Sequence, residues 1–264
     1  MRIAVLAPIQ NSLYSRLVTH LAAMEDGIDV ALIVVRTPWS LARIRSELNR
    51  DGTRLLGKVR DKLLLGGKGD APAGSDTLIA MAEREHLVAR TLDDVAFIHG
   101  IRVITVRDHN EAKAERALRE AAPDAIVFTG GGLIRSNVLA IPRLGVLNCH
   151  AGILPAYRGM DVVEWPVAEG RFDKLGATLH FMDAGVDSGP ILLQQKLDVR
   201  AGDTFESLRS HIEPLMVDLV LRGLRGLRDR TLKPRPQEPA EGRQYYVMHP
   251  RINTFAESKL RSMK

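Results

Sequence analysis

Asn148, Cys149 and His150 follow one another in the stretch NCHAGILPAYRG, residues 148–159, at the end of an apolar run. An amide that donates without titrating, a thiol and an imidazole together permit four chemistries. These are a Cys–His nucleophile pair, a metal site, a phosphate-binding turn, and stabilisation of an oxyanion on a tetrahedral carbon. Successive strand residues point to opposite faces, so Asn148 and His150 share one face and Cys149 takes the other. A nucleophilic thiol needs a base within reach and a lowered pKa, which a thiol turned away from its imidazole lacks; Cys149 reads as a buried hydrophobe. Metal binding is disfavoured too. His150, Asp183 and Asp187 come without an HxxxH or HxxE pair, and a lone cysteine excludes a cysteine-cluster zinc site. An oxyanion remains for Asn148 and His150. Asp183 or Asp187 of HFMDAGVDSGPIL, residues 180–192, would orient or charge the imidazole.

The elements that must carry these residues alternate between strand and helix. RIAVLAP (2–8) predicts a buried strand, residues 12–24 a helix and DVALIVVR (29–36) a second strand, which makes a right-handed parallel βαβ unit. Residues 38–66 predict a basic helix with Leu41, Ile44 and Leu48 on one face, followed by a loop, LGGKGDAPAGSD (65–76). Its GGKG follows no strand and lacks the Lys-Ser/Thr ending of a phosphate loop. Strands then follow at 101–106, 124–132, 145–150, 177–183 and 190–199, with helices at 110–122 and from about Thr204 to Leu227, the latter capped by Asp203-Thr204. KPRPQEP (233–239) predicts an extended linker and QYYVMHP (244–250) a strand or docking segment. The fold class is α/β: an open, mostly parallel twisted sheet with helices on both faces. Residues 1–232 form one domain, and residues 233–264 a linker and tail packed on it. In such sheets ligands bind beyond the carboxyl ends of the strands, where FTGGG and NCH both fall.

LNCHAGILPAYRG resembles the N-x-H-x-x-x-L-P-x-Y-R-G signature of the folate-dependent formyltransferases, and HFMDAGVDSGPIL is similar to their second motif, with an Asp just before x-Gly-Pro. LQQKLDVRAGDTFESL resembles the strand, GDT turn and helix that come after this motif in the glycinamide ribonucleotide branch. The resemblance is good over residues 100–228 and loose over 1–36. It implies transfer of a formyl group from 10-formyltetrahydrofolate to an amine, without a metal, by Asn148, His150 and Asp187. By the same resemblance Gly131, Gly132, Leu133 and Ile134 line a mainly backbone donor pocket with Met182, Asp183, Ala184, Gly185 and Val186. Asn11 and Ser12 after the first strand, with Tyr157 and Arg158, would act on the acceptor side, the lesser alternative being that the arginine fork pins the loop.

Departures from the family pattern narrow the acceptor. APIQNSLYS has no glycine where the glycinamide ribonucleotide branch has a phosphate turn, which makes that substrate doubtful. The tail of roughly 35 residues is too short for the C-terminal barrel domain of methionyl-tRNA formyltransferase. Gly152 stands where the family usually has Ser, and residues 38–95 match nothing placed, so an acceptor site or lid is expected there. A small amine acceptor, with a weak preference for a phosphorylated one such as a nucleotide-linked amino sugar, is the expectation. A formyltetrahydrofolate hydrolase and a non-catalytic folate- or nucleotide-binding regulator are the alternatives.

Composition agrees with a folded enzyme: 45% of the 264 residues are hydrophobic and 26% charged. The net charge of +5 admits nucleic acid, but only 5% of residues are aromatic, so stacking platforms are sparse and nucleic acid is disfavoured as a partner. Met1 leads straight into a strand-like run, without a signal-peptide core, and no apolar run reaches spanning length, so a cytoplasmic protein without membrane contact is expected. A homodimer is compatible with the sequence.

Overall fold

The computed structural model describes residues 1–37 and 77–262. The helix and loop expected over 38–76 lie outside the described residues. Nine strands are described: β1 Arg2–Ala7, β2 Asp29–Arg36, β3 Arg102–Val106, β4 Ala125–Phe128, β5 Gly145–His150, β6 Tyr157–Gly159, β7 Gly176–Phe181, β8 Ile191–Lys196 and β9 Arg243–Tyr245. The helices are α1 Leu13–Met24, α2 Leu78–Arg84, α3 Leu92–His99, α4 Ala112–Ala121, α5 Ser136–Leu139, α6 Glu164–Ala168, α7 Phe205–Arg228 and α8 Pro250–Arg261.

Seven strands form one sheet in the order β3-β2-β1-β4-β5-β7-β8. The first five run parallel, and β7 and β8 return antiparallel. Near-continuous apolar strands such as RIAVLA need cover on both faces. Ile3 and Val5 of β1 pack into a core that includes Leu17, Val217 and Leu224, under α1 and α7. Ala4 and Leu6 face a second core with Ala114, Ala117 and Leu118 of α4. Ser12 caps α1 by accepting from Ser15 N, and Thr204 caps α7 in a box with Ser207, as a hydroxyl at the N-cap does when it takes up an orphan donor.

The sequence placed the parallel half of the sheet well. Strand β4 stops at Phe128 rather than at 132, because Gly130, Gly131 and Gly132 all take positive φ and turn the chain out of the sheet. Beyond the sequence expectation lie the two helices α2 and α3, strand β6 and α8, which packs on α6; the strand or docking segment expected at 244–250 is met by β9, which pairs in parallel with β6. Strand order reverses at β1, between β2 and β4, which is where an open sheet offers a crevice.

Candidate active site

Sheet register gathers the polar residues. Phe128 stands opposite Asn148, and Asn148 opposite His180, so the three form a row across β4, β5 and β7. His180 Nδ1 lies 2.8 Å from the Phe181 carbonyl, which leaves Nε2 toward the Asn148 amide at 3.2 Å. His180 is 1% exposed. It belongs to the second sequence motif but carries no role there, because only the antiparallel β5–β7 pairing brings it to Asn148.

Asp187 arrives from the β7–β8 loop. Asp183 Oδ1 accepts from Gly185 N at 3.0 Å and from Ser188 Oγ at 2.8 Å, closing a turn that tips Asp187 back over the sheet. Asp187 itself sits at φ +50, in the left-handed region that Asp tolerates better than most residues. Its Oδ2 lies 3.4 Å from His150 Nδ1 and accepts from Gly159 N at 3.0 Å, while Oδ1 is 3.6 Å from His180 Nε2. Gln237 Nε2, from the tail, donates to the Asp187 carbonyl at 2.9 Å and to the Gly189 carbonyl at 2.6 Å.

Burial pushes the Asp187 carboxyl up, but the neighbouring His180 imidazole, the His150 charge and the Gly159 N–H outweigh it and hold the group at about 2. Burial lowers His150 below its usual value, and Asp187 and the Tyr157 carbonyl pull it partly back. Burial alone raises the Cys149 thiol, so it stays protonated and unreactive. An acid whose folded pKa lies below its unfolded value stabilises the fold above the unfolded pKa and loses that contribution as pH falls through the folded one. For Asp187 the contribution is about 2 kcal/mol, lost progressively from about pH 5 toward pH 2. Urea melts across that window are therefore expected to show a shallower pH dependence for Asp187→Asn than for wild type. Equal slopes would contradict the ion pairing described.

Two cavities meet at this row, sharing Phe128 and Asn148. One, of about 340 Å³, is lined by Gly132, Leu133, Met182, Asp183, Gly185, Val186, Asp187 and His180 among others. The second, of about 410 Å³, holds Ser12, Tyr14, Thr129, Arg209, Glu213 and Met216. Most of the expected donor residues thus line one cavity. Three do not: Ile134 is buried in the core beside α4, the Gly131 carbonyl is bonded to Arg36, and Ala184 is an exposed loop tip.

On the acceptor side Ser12 lines the second cavity, whereas Asn11 is exposed outside it. Tyr157 and Arg158 reach neither. The Tyr157 hydroxyl donates to Glu169 at 2.7 Å and its ring stacks on Tyr245, and Arg158 Nη2 donates to the Gly242 carbonyl at 2.8 Å. They pin the tail, because β6 pairs with β9 and these two side chains are spent on Glu169, Tyr245 and Gly242. His150 is also set back. It is 7% exposed, with Nε2 on the Tyr157 carbonyl at 2.9 Å, so it touches the site through Asp187. No group of three or more metal-ligating residues occurs among the described residues, and no described helix is long and apolar enough to cross a membrane.

Chemically, the arrangement offers a fixed amide donor between two cavities, backed by a carboxylate shared by two imidazoles. That set suits a negative oxygen developing on a carbon attacked from the neighbouring cavity. Comparisons with known proteins point the same way. The family model described as Formyl transferase matches residues 1–222. Methionyl-tRNA formyltransferase of Anaeromyxobacter dehalogenans (strain 2CP-C) is 35% identical over 144 residues, 54% of this chain and 46% of that protein. The chain spans about half the length of the curated relatives it matches. Phosphoribosylglycinamide formyltransferase from Bacillus halodurans superposes at TM-score 0.56 with 19% identity, over 86% of this chain and 95% of its own. A sugar N-formyltransferase from Shewanella sp FDAARGOS_354 does so at 0.56 with 13% identity, over 98% and 87%. At these identities the two structures bear on the fold alone.

Proposed function

We propose that this chain, which belongs to the formyl transferase family, moves a formyl group from 10-formyltetrahydrofolate to a primary amine. The observation that carries the reading is the position of Asn148, the polar residue common to both cavities. The cavity between the 132–133 turn and the 182–187 loop suits a flat heteroaromatic donor. Its lining is mainly apolar, with Asn148, His180, Asp183, Asp187 and Gln244 as its polar points, and Leu133, Met160, Val186 and Tyr246 make an exposed apolar rim. The bound donor would supply an activated formyl carbon. Asn148 Nδ2 donates to the oxygen that becomes negative when the amine attacks from the second cavity. Asp187, held by Gly159 and Gln237, keeps the two imidazoles oriented, and this cluster receives the proton that the amine must lose and returns it to the folate N10 as its bond to the formyl carbon breaks.

The acceptor cavity speaks against the phosphorylated acceptor expected from YRG. Tyr157 and Arg158 stand elsewhere, and Arg209 already pairs with Glu164 and with Asp161. Tyr14 Oη is buried there without a hydrogen-bond partner, and Glu213 adds a carboxyl that burial pushes up. A small hydroxylated or cationic amine meets those groups better than a phosphate. The names of the curated relatives favour a second reading, methionyl-tRNA as acceptor. Its signature would be affinity that falls steeply with salt.

A thermal-shift titration with 5-formyltetrahydrofolate tests the donor side first. Wild type is expected to gain melting temperature with ligand concentration, and Met182→Trp, which fills the cavity wall, to gain little. No shift in wild type at saturating ligand would count against folate and bring forward the regulator that binds something else. Donor cleavage without any amine present would favour the hydrolase.

A further inference from the structure

The family match ends at residue 222, yet the donor cavity is not closed by those residues alone. Past α7 the chain runs back along the sheet, where Arg235 and Ile191 exchange two backbone hydrogen bonds of 2.8 Å. Gln237 then holds the Asp187 loop, and β9 pairs in parallel with β6. The contact is backbone on backbone. A Cβ on Gly242 would stand 1.7 Å from the Pro155 carbonyl oxygen, and one on Gly159 2.3 Å from that of Tyr245. Met160 N donates to Tyr245 O at 3.0 Å, Trp165 Nε1 to Tyr246 O at 2.9 Å, and Met248 N to Asp161 Oδ2 at 2.7 Å. Lys259 Nζ then ties α8 to the Ala168 carbonyl at 2.7 Å.

This clamp delivers Gln244, Tyr245 and Tyr246 to the donor cavity. Tyr245 is buried between Tyr157, which stacks on it, and Trp165, whose ring is tilted against it. Tyr246 is different: its backbone is held, but its side chain is 69% exposed at the cavity rim. Leu133 at 81%, Met160 at 48% and Val186 at 39% share that rim. Four exposed apolar side chains around one mouth mark a surface that a ligand covers.

We propose that the C-terminal extension is part of the donor site, with Tyr246 forming the outer wall against which the aromatic middle of the donor, its p-aminobenzoyl ring, packs. The inference rests on the folate reading of the cavity. The formyl carbon sits on N10, between the pterin and the benzoyl ring, so with N10 beside Asn148 and the pterin directed inward the benzoyl ring comes next on the way to the rim. A tyrosine ring there offers a rigid apolar face at low entropic cost.

Isothermal titration of the full chain with 5-formyltetrahydrofolate, p-aminobenzoylglutamate and pterin-6-carboxylate tests this. Tyr246→Ala is expected to weaken the first two about fivefold to tenfold, the range that loss of one aromatic contact gives, and to leave the pterin unchanged. Tyr246→Phe should bind all three like wild type, and so should Val247→Ala, which is exposed but outside the cavity. Melting temperatures of the variants should match wild type, because the ring is exposed. Binding of 5-formyltetrahydrofolate by Tyr246→Ala within twofold of wild type overturns the proposal and leaves the folate reading intact. Equal weakening of pterin and benzoyl probes overturns the assignment of Tyr246 to the benzoyl ring. Absence of binding by wild type overturns the folate reading and this proposal with it.

Discussion

Asn148→Ala is expected to lower kcat for formyl transfer about 100- to 1,000-fold, the usual cost of removing one donor from an oxyanion site. The amide is held by its register opposite His180 and by the His180 Nε2 contact at 3.2 Å, so little reorganisation is needed when charge develops. Donor affinity should change little, because the wall of the donor cavity is mostly loop backbone and apolar side chains. The amide does not titrate, so the shape of the pH–rate profile should persist in the residual activity. Asn148→Asp keeps the shape but places a carboxylate where negative charge must form, and should be at least as slow. Single-turnover rates at saturating donor are the measurement. A loss under tenfold for Asn148→Ala would mean that another group stabilises the oxyanion, with His180 first in line.

Gly159→Ala is expected to destabilise the fold by about 3 kcal/mol, from a strained left-handed position together with a forced backbone contact. It should also cut kcat on the order of 100-fold by loosening a positioned group. Its φ is +95, and a Cβ there would meet the Tyr245 carbonyl oxygen at 2.3 Å, so β6 and β9 must separate. The same residue's N–H holds Asp187 Oδ2 at 3.0 Å, and the Asp187 loop loses that anchor when the strand shifts. Gly170→Ala supplies the control. It also has positive φ, at +71, but an added Cβ there meets nothing within 4 Å, so only the conformational cost of about 1 kcal/mol applies. Urea melts beside kcat for both variants separate strain from contact. Equal destabilisation of the two would show that the tail does not bear on β6.

How much can be read from the chain depends on how local each signal is. The strand runs RIAVLA, DVALIVVR and GVLNCH are apolar, β-branched and bounded by turns, so their existence is legible from a few neighbours each. The same alternation puts Asn148 and His150 on one face and Cys149 on the other, while the choice of Asp187 over Asp183 rests on the family resemblance. Helices α2 and α3 and strand β6 escape because short, half-exposed segments carry little periodicity, whereas the strand or docking segment expected at 244–250 is met by β9. Tyr157 and Arg158 point toward the acceptor in the sequence because residue type cannot say which side of a loop a side chain takes.

The sequence by itself therefore determined the α/β class, the parallel half of the sheet and the residue types that can handle an oxyanion, since those depend on contacts within a few residues. Only the tertiary structure decided that His180 faces Asn148 while His150 stands behind Asp187, that two cavities share one amide, and that the tail props the Asp187 loop. Each of those rests on pairing between segments remote in the chain: β5 with β7 across 32 residues for Asn148 and His180, and Gln237 with the Asp187 carbonyl across 50. Register and face between distant strands are set by how the whole core packs, and no local pattern carries that information.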